Sequence, residues 1–441
     1  MTISQAPAYN IKVVLNKTGI AADTLRAWER RYGLPAPERT AGGHRLYSDR
    51  DVEIIKWLMS KQQEGLSISR AVDLWNEQSA SGSDPLADIV PTDSASPLAV
   101  PPAAPDSTLD TFRAEWIQAC TDFDEITAEQ VLNQAFSLFP IESVCTQVVQ
   151  KGMSEIGELW YENKLTVQQE HFASNLAMRR LDALLSAAPA PTKKDTILVG
   201  CPADEWHTIT ALLISLFLRR RGYKVIYLGA NVPADRFLET ISNTKADLVL
   251  LVAQHLISAA SLQQVAHLLV NKNIPVAYGG RIFVLRPTMT EYIPGNFLGD
   301  NLGSAMGDIE NVLKSKGVPG ATKAASQGHI AAHQAFTSKR TKIESSLKEM
   351  LQPLAISPDD IKTGIDFLGD HIAAALQLGD MSHVSTEVDW LRMLLQSHST
   401  HPEQLTAFME TYAQAVDKNI NGQGKPIFEW FDAETEKLRA A

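Results

Sequence analysis

A stretch rich in Ala, Ser and Pro divides the chain and excludes a single continuous core. Residues 79–107 contain six prolines and lack Lys, Arg and aromatic side chains. A segment of this composition buries too little apolar surface to offset the entropy lost on ordering, so it is predicted to be a disordered linker. As a coil it would span roughly 30 Å. The 441 residues are therefore expected to form several domains on either side of it.

The block before this linker, residues 1–78, has the pattern of a winged helix-turn-helix. Helices are predicted at 11–17 and Ala22–Tyr32, a two-stranded wing within 34–47, and a third helix at 52–63. Residues 1–50 hold eight Lys and Arg against four Asp and Glu, whereas the whole chain has a net charge of −11. The basic surface is therefore local, and any nucleic acid is expected to bind there.

The motif T-L-R-A-W-E-R-R-Y-G at 24–33, followed by Arg39 and G-H-R-L-Y at 43–47, resembles the MerR family of transcriptional regulators over roughly residues 10–75. A solvated helix face would explain any single arginine here, but not the whole motif. The resemblance implies that Trp28 belongs to the core and that double-stranded operator DNA is the partner. It implies a DNA-binding surface in which Arg26 and its neighbour Arg30 enter the major groove and the wing holds phosphates through Arg39, His44, Arg45 and Tyr47.

After the linker the character of the sequence changes twice. Residues 108–188 have apolar side chains at three- and four-residue spacing and predict a four-helix bundle. Residues 189–316 alternate short apolar runs with helical stretches, which predicts a flavodoxin-like, doubly wound parallel sheet with its ligand at the carboxyl ends of the strands. The strands are expected at 196–200, 224–228, 247–253, 274–278 and, more weakly, 296–299.

Two groups of side chains stand out in these blocks. His207 lies in the loop after the first strand, two residues from Glu205, an arrangement that suits a metal ligand oriented by a carboxylate. Trp160 ends one bundle helix, and the next is predicted to begin at Thr166 with the capping-box pattern Thr166-x-x-Gln169. Glu170 and His171 follow in its first turns. Taken singly, an ordinary surface histidine and simple packing would explain both groups.

Taken together, residues 110–315 resemble the cobalamin-binding module of methionine synthases and of the light-sensing CarH and LitR repressors. The resemblance implies that His207, in the E-W-H sequence at 205–207, is the lower axial ligand of cobalt. It also implies that Trp160 and Glu170-His171, a W-x9-E-H element, cap the upper face and its 5′-deoxyadenosyl group. Gly279 and Gly280 match the Gly-Gly pair that lets the backbone approach the nucleotide tail.

The chain departs from this family at three positions. Thr210 replaces a Gly and Val252 a Ser where the family lines the slot for the dimethylbenzimidazole tail, so tail binding is expected to be altered. Tyr161 stands where CarH proteins have a His that becomes a second cobalt ligand after photolysis. His171 and His255 remain as alternative second ligands.

Residues 329–441 have amphipathic helical patterns and are predicted to form an all-helical domain of unknown role, with the apolar stripes as its core. Three scattered cysteines, with neither a signal peptide nor a long apolar run, predict a cytoplasmic protein. We expect a non-enzymatic, light-responsive regulator that binds adenosylcobalamin and forms a dimer or tetramer. Alternatives are a sensor of another chromophore or small ligand, a sensor of cobalamin as a chemical signal, the cobalamin carrier of an enzyme, and a dimerisation scaffold without cobalamin.

Overall fold

The computed structural model describes residues 6–7, 9–18, 20, 22–39, 45–63, 68–80, 84, 86, 108–352, 358–397, 402–420 and 422–440. The chain forms two compact units, Met1–Pro101 and Pro102–Ala441. His44 and most of the predicted linker at 79–107 lie outside the described residues. Among the described residues, no helix has the length and apolar character needed to cross a bilayer.

The first unit is a helical domain with a short wing, as expected for a winged helix-turn-helix. Its third helix begins at a reciprocal cap: the amide of Asp51 donates to Ser48 Oγ at 3.1 Å, and the amide of Ser48 donates to Asp51 Oδ2 at 2.8 Å. Trp28 is 5% exposed, which confirms its place in the core. The elements are α1 (Ile11–Thr18), α2 (Ala22–Tyr32), the antiparallel strands β1 (Glu38–Arg39) and β2 (Arg45–Leu46), α3 (Asp49–Gln63) and α4 (Ile68–Ala80).

The second unit begins with the predicted four-helix bundle. Its third helix passes through a π-helical turn at Cys145–Gln150. The fully buried Trp116 packs so closely on Gly152 that a Cβ there would lie 2.9 Å from the indole ring. The helices are α5 (Leu109–Thr121), α6 (Glu125–Leu138), α7 (Ile141–Val144), which continues through the π-helical turn into α8 (Lys151–Tyr161), and α9 (Val167–Ser186).

A five-stranded parallel sheet follows, in the order β4-β3-β5-β6-β7. This is the predicted flavodoxin-like topology, in which the chain crosses from one side of the first strand to the other. The strands are β3 (Thr196–Pro202), β4 (Lys224–Val232), β5 (Leu248–Val252), β6 (Val276–Gly279) and β7 (Asn296–Phe297). The helices are α10 (Ile209–Arg220), α11 (Phe237–Thr244), α12 (Leu256–Val270), α13 (Arg281–Leu285) and α14 (Leu302–Ser315).

Both faces of the sheet are covered, because alternate residues of the central strands β3, β5 and β6 enter different cores. Ile197 and Val199 join the core that contains α10, α14 and the bundle. Leu198 joins the core that contains α12 and the last five helices. Residues 329–441 are thus packed into the same compact unit as the sheet, through α15 (Gln327–Leu351), α16 (Pro358–Leu378), α17 (Ser382–Ser397), α18 (Pro402–Ile420) and α19 (Lys425–Ala440).

Candidate functional site

The loop that follows β3 lies at the topological switch point of the sheet, between the carboxyl ends of β3 and β5. It is held from β4, where Asn231 Oδ1 accepts from the amide of Asp204 at 3.0 Å. The amide of Asn231 in turn donates to the carbonyl of Glu205 at 2.9 Å. Ligands of doubly wound sheets bind at this position, so the side chains of Glu205 and His207 stand where the fold places a ligand.

The carboxylate of Glu205 is fully buried and accepts four hydrogen bonds. Oε1 accepts from the amide and from Nδ1 of His207, both at 2.9 Å. Oε2 accepts from the amide of Gln254 at 2.6 Å and from Ser258 Oγ at 2.7 Å. Burial opposes ionisation, but the hydrogen bonds from His207, Ser258 and Gln254 outweigh it and hold the pKa of Glu205 below its usual value.

The imidazole of His207 is oriented by Glu205 but remains open to solvent, with 65% of its side chain exposed. The hydrogen bond to Glu205 raises the pKa of His207 against the effect of burial, and the charge of Glu170 raises it further. When Nδ1–H donates to Glu205, the lone pair of the neutral ring is on Nε2. The side chain is therefore prepared to act as a ligand through Nε2.

His255, the residue before α12, lies beside His207. Its Nε2 is 3.1 Å from His207 Nδ1, and the two ring centroids are 4.6 Å apart. With Glu205, the two histidines form a group whose donor atoms all lie within 4.8 Å of one another. His255 therefore lies at the same edge of the sheet as His207.

The bundle contributes the junction between α8 and α9. The predicted capping box is confirmed: Gln169 Oε1 accepts from the amide of Thr166 at 2.8 Å, and Thr166 Oγ accepts from the amide of Gln169. Glu170 Oε2 then lies 2.7 Å from Nδ1 of His171, while Trp160 is 41% exposed. The charge of Glu170 also contributes to the raised pKa of His207.

The two glycines after β6 have different surroundings. Gly280 has a φ of +129°, and a Cβ on it would lie 1.8 Å from the carbonyl oxygen of Ala253, so the fold itself requires this glycine. A Cβ on Gly279 would meet open space. Of the two, only Gly279 therefore leaves room that a ligand can occupy.

At two of the positions that depart from the family pattern, Val252 and Thr210, the side chain contacts other parts of this chain. Val252 is fully buried and belongs to the core that contains α10, α14 and the bundle. Thr210 Oγ accepts from Gln254 Nε2 at 3.0 Å, and Gln254 Oε1 accepts from the amide of Arg281 at 2.8 Å. The side chain of Gln254 thus connects α10 to the start of α13.

Sequence reasoning missed several residues near this site. No sequence pattern marked Gln254 or Ser258 as a site residue. Ser258 stands three residues after His255, the residue that precedes α12. The C-terminal helices also reach this region: Glu387 lies 3.9 Å from both His371 Nε2 and Arg286 Nη2. His371 contributes to the lowered pKa of His255, after burial and His207, and no pattern in the sequence indicated this proximity.

The first unit presents the predicted arginines in two ways. Arg26, Arg30 and Arg39 are exposed. Arg45 is part-exposed, and its Nε donates to Glu29 Oε2 at 2.7 Å. Since a guanidinium has five N–H groups, the pairing with Glu29 leaves four N–H donors for other partners.

The prediction that Tyr47 holds a phosphate does not agree with its position. Tyr47 is fully buried, and its hydroxyl donates to Glu29 Oε1 at 2.5 Å. Burial and the neighbouring Glu29 raise the pKa of this hydroxyl. Tyr47 therefore fixes Glu29, which connects α2 to the wing through Arg45, and sequence reasoning missed this role of Glu29.

Three family models match the chain. The model of the MerR HTH family regulatory proteins matches residues 9–78. Two models, each described as a B12 binding domain, match residues 113–185 and 196–298. These ranges coincide with the winged helical domain, the bundle and the sheet, and they leave residues 299–441 unmatched.

Two curated relatives are HTH-type transcriptional repressors. The HTH-type transcriptional repressor CarH of Myxococcus xanthus is 32% identical over 241 residues, which are 55% of this chain and 77% of that protein. The chain belongs to the CarH family of MerR-type transcriptional regulators. The repressor CarA of the same organism is 30% identical over 245 residues, 55% of this chain and 75% of that protein.

The B12-binding part of this CarH-family chain also has relatives of another kind. The trimethylamine corrinoid protein of Methanosarcina barkeri is 28% identical over 138 residues, 30% of this chain and 63% of that protein. The chain is thus a cobalamin-binding MerR-type regulator in which the cobalamin module is shared with corrinoid proteins and the MerR domain is what distinguishes it.

Proposed function

We propose that the protein is a light-responsive transcriptional regulator that binds adenosylcobalamin and recognises operator DNA through its MerR domain. The protein forms a dimer or a tetramer, and loss of the upper cobalt ligand changes this oligomeric state. The change of oligomeric state in turn changes the affinity for DNA. The observation that carries the proposal is the pairing of a solvent-open His207 with the buried carboxylate of Glu205 at the switch point of the sheet.

The residues present fit a cobalamin at its lower face. Glu205 accepts from Nδ1 of His207, so Nε2 is the atom that would hold cobalt, and the buried carboxylate increases the basicity of the ring. When bound, adenosylcobalamin supplies a weak cobalt–carbon bond that light can break. The protein's own part is to hold the cofactor and to convert its chemistry into a change of shape.

The upper face would be covered by the junction between α8 and α9. Trp160 offers an exposed aromatic ring there, and Glu170 a carboxylate held by His171. Because there is open space over the Cα of Gly279, the backbone can approach the remainder of the cofactor there. Because the junction and the loop after β3 stand on different layers of one unit, a ligand between them couples the bundle to the sheet.

DNA binding would rest on the exposed Arg26, Arg30 and Arg39 of the first unit, together with the part-exposed Arg45. A single domain of this size binds weakly and loses affinity as salt rises. Several such domains in one oligomer bind through their effective concentration, so a change of oligomeric state is a steep switch. No catalytic step is part of this proposal.

The test begins with protein purified in the dark with adenosylcobalamin. Its absorption spectrum, its size by gel filtration and its operator affinity are measured before and after green light. We expect a bound corrinoid spectrum that changes on illumination, together with a change in size and weaker or stronger operator binding. His207→Ala should lose the corrinoid, whereas His267→Ala, an exposed histidine further along α12, should retain it. Retention by His207→Ala would contradict the assignment of the lower ligand.

One observation favours a second candidate, a regulator that senses a corrinoid chemically or senses a different small ligand. Gln254 joins Thr210 to the amide of Arg281 where the family resemblance implies the nucleotide tail. Tighter binding of tail-free cobinamide than of cobalamin, with no response to light, would support this candidate. A light response with adenosylcobalamin would reject it.

A further inference from the structure

The cluster of Glu205, His207 and His255 has the geometry of a metal site in its own right. Glu205 Oε1 and His207 Nδ1 are 2.9 Å apart, and His207 Nδ1 and His255 Nε2 are 3.1 Å apart. In a tetrahedral zinc site with bonds of about 2.0–2.2 Å, neighbouring donor atoms lie about 3.4 Å apart. An ion would therefore enter after the donors separate by a few tenths of an ångström.

The hydrogen atoms in this cluster do not satisfy both short contacts. His207 Nδ1 carries at most one proton, and it faces an acceptor oxygen of Glu205 on one side and His255 Nε2 on the other. If that proton goes to Glu205, it is not available to His255. If Nδ1 instead accepts from His255, Glu205 loses the ring as a donor. A cation between the three atoms would satisfy all of them at once.

We infer that the corrinoid-free protein binds a divalent transition metal ion of the zinc class through Glu205, His207 and His255. Two imidazoles and one carboxylate are the donors that such borderline cations prefer over Mg²⁺ and Ca²⁺. Glu205 is buried and fixed by Gln254 and Ser258, whereas both histidines are exposed. The ion would thus enter from solvent onto a preformed carboxylate and keep a water at its open position.

The same histidine cannot serve this ion and a corrinoid together. The metal site uses Nδ1 of His207, so in the neutral ring the proton is on Nε2. The lower-ligand role under the proposed function requires the opposite tautomer, with Nδ1–H on Glu205 and a free Nε2. Metal and corrinoid are therefore expected to exclude each other, a consequence that rests on the proposed function, whereas the metal site does not.

The metal site is tested on untagged full-length protein free of corrinoid. Zn²⁺ binding is measured by calorimetry and by competition with a chromophoric chelator, with Mg²⁺ as the hard-cation control. We expect one Zn²⁺ per chain. His255→Ala should weaken Zn²⁺ affinity by more than the about 10- to 100-fold that is typical of changing a residue which only hydrogen-bonds to a metal ligand. His267→Ala, in the helix that follows His255, should leave the Zn²⁺ affinity unchanged. Equal Zn²⁺ affinity in wild type and His255→Ala would overturn the site.

Corrinoid binding of the same proteins separates the two proposals. His255→Ala should retain adenosylcobalamin in the dark, whereas His207→Ala should lose both ligands. Wild-type protein loaded with Zn²⁺ should bind adenosylcobalamin more weakly, and a chelator should restore the affinity. Zn²⁺ binding without any corrinoid binding would contradict the proposed function and support the metal site. Simultaneous tight binding of both would contradict the shared use of His207.

Discussion

Replacing Glu205 by Gln tests the most buried element of the site. The substitution keeps the shape of the side chain but exchanges one acceptor oxygen for an NH2 group. Four donors meet this carboxylate, two at each oxygen. If the amide oxygen stays toward His207, the NH2 group faces the amide of Gln254, which then lacks an acceptor. A buried donor without a partner costs about 1–3 kcal/mol in the free energy of unfolding.

The effect on ligand binding is expected to be of similar size. Glu205 orients His207 and, as an anion, makes its ring a better ligand. Changing such an outer partner typically weakens metal affinity about 10- to 100-fold, which corresponds to about 1.4–2.7 kcal/mol. The assay is an absorption titration of corrinoid-free protein with adenosylcobalamin in the dark, together with urea unfolding of each variant.

Asp204→Asn is the matched control, because Asp204 is an exposed carboxylate one residue away that accepts a long hydrogen bond, 3.4 Å, from Ser261 Oγ. Asn also tolerates the positive φ of 65° at this position. We expect corrinoid affinity within about twofold of wild type for this control. If Glu205→Gln also binds the corrinoid within twofold of wild type, the carboxylate does not orient His207 as a ligand and the role given to Glu205 is refuted.

Four further substitutions test the rest of the molecule. Gly280→Ala should lower the free energy of unfolding by more than the about 1–3 kcal/mol of a strained residue, because the new Cβ meets the carbonyl of Ala253. Gly279→Ala should keep the stability of wild type in urea unfolding and weaken only corrinoid binding. Arg45→Ala should lower the slope of log affinity against log salt by about 0.9 in operator titrations; an unchanged slope would place Arg45 off the phosphates. Leu376 is fully buried in α16, so Leu376→Ala should lower the free energy of unfolding by about 2–5 kcal/mol. Unfolding followed by circular dichroism should remain a single transition for the second unit. Two separated transitions would show that the C-terminal helices do not share the core of the sheet.

Much of the fold follows from patterns within short segments. The first strand was expected at 196–200 and extends over Thr196–Pro202, because a continuous apolar run indicates a strand buried on both faces. The capping box at Thr166 needs only two residues at the right spacing, so it too was visible in the sequence. The pairing of Glu205 with His207 was likewise predictable, since both lie in one loop.

Contacts between distant segments were not predictable in the same way. Tyr47 has an apolar ring and a polar hydroxyl, and nothing in its neighbours indicates whether the hydroxyl faces DNA or, as found, Glu29. The proximity of His255 to His207 depends on β5 lying next to β3. Apolar stripes in 329–441 predicted buried faces, but a stripe does not specify what covers it, and here the sheet domain does.

The helix α12 connects the C-terminal helices to the candidate site. Its first turn carries Ser258, which donates to Glu205. Two turns later Gln264 Nε2 donates to Gln377 Oε1 of α16 at 2.8 Å, and Gln377 Nε2 donates to the carbonyl of Ala260 at 2.6 Å. Ser258 and Gln264 are six positions apart in the helix, a rise of about 9 Å. The helix α12 therefore contacts Glu205 at its first turn and α16 further along. The C-terminal helices therefore share a hydrophobic core with the helix whose first turn donates a hydrogen bond to Glu205.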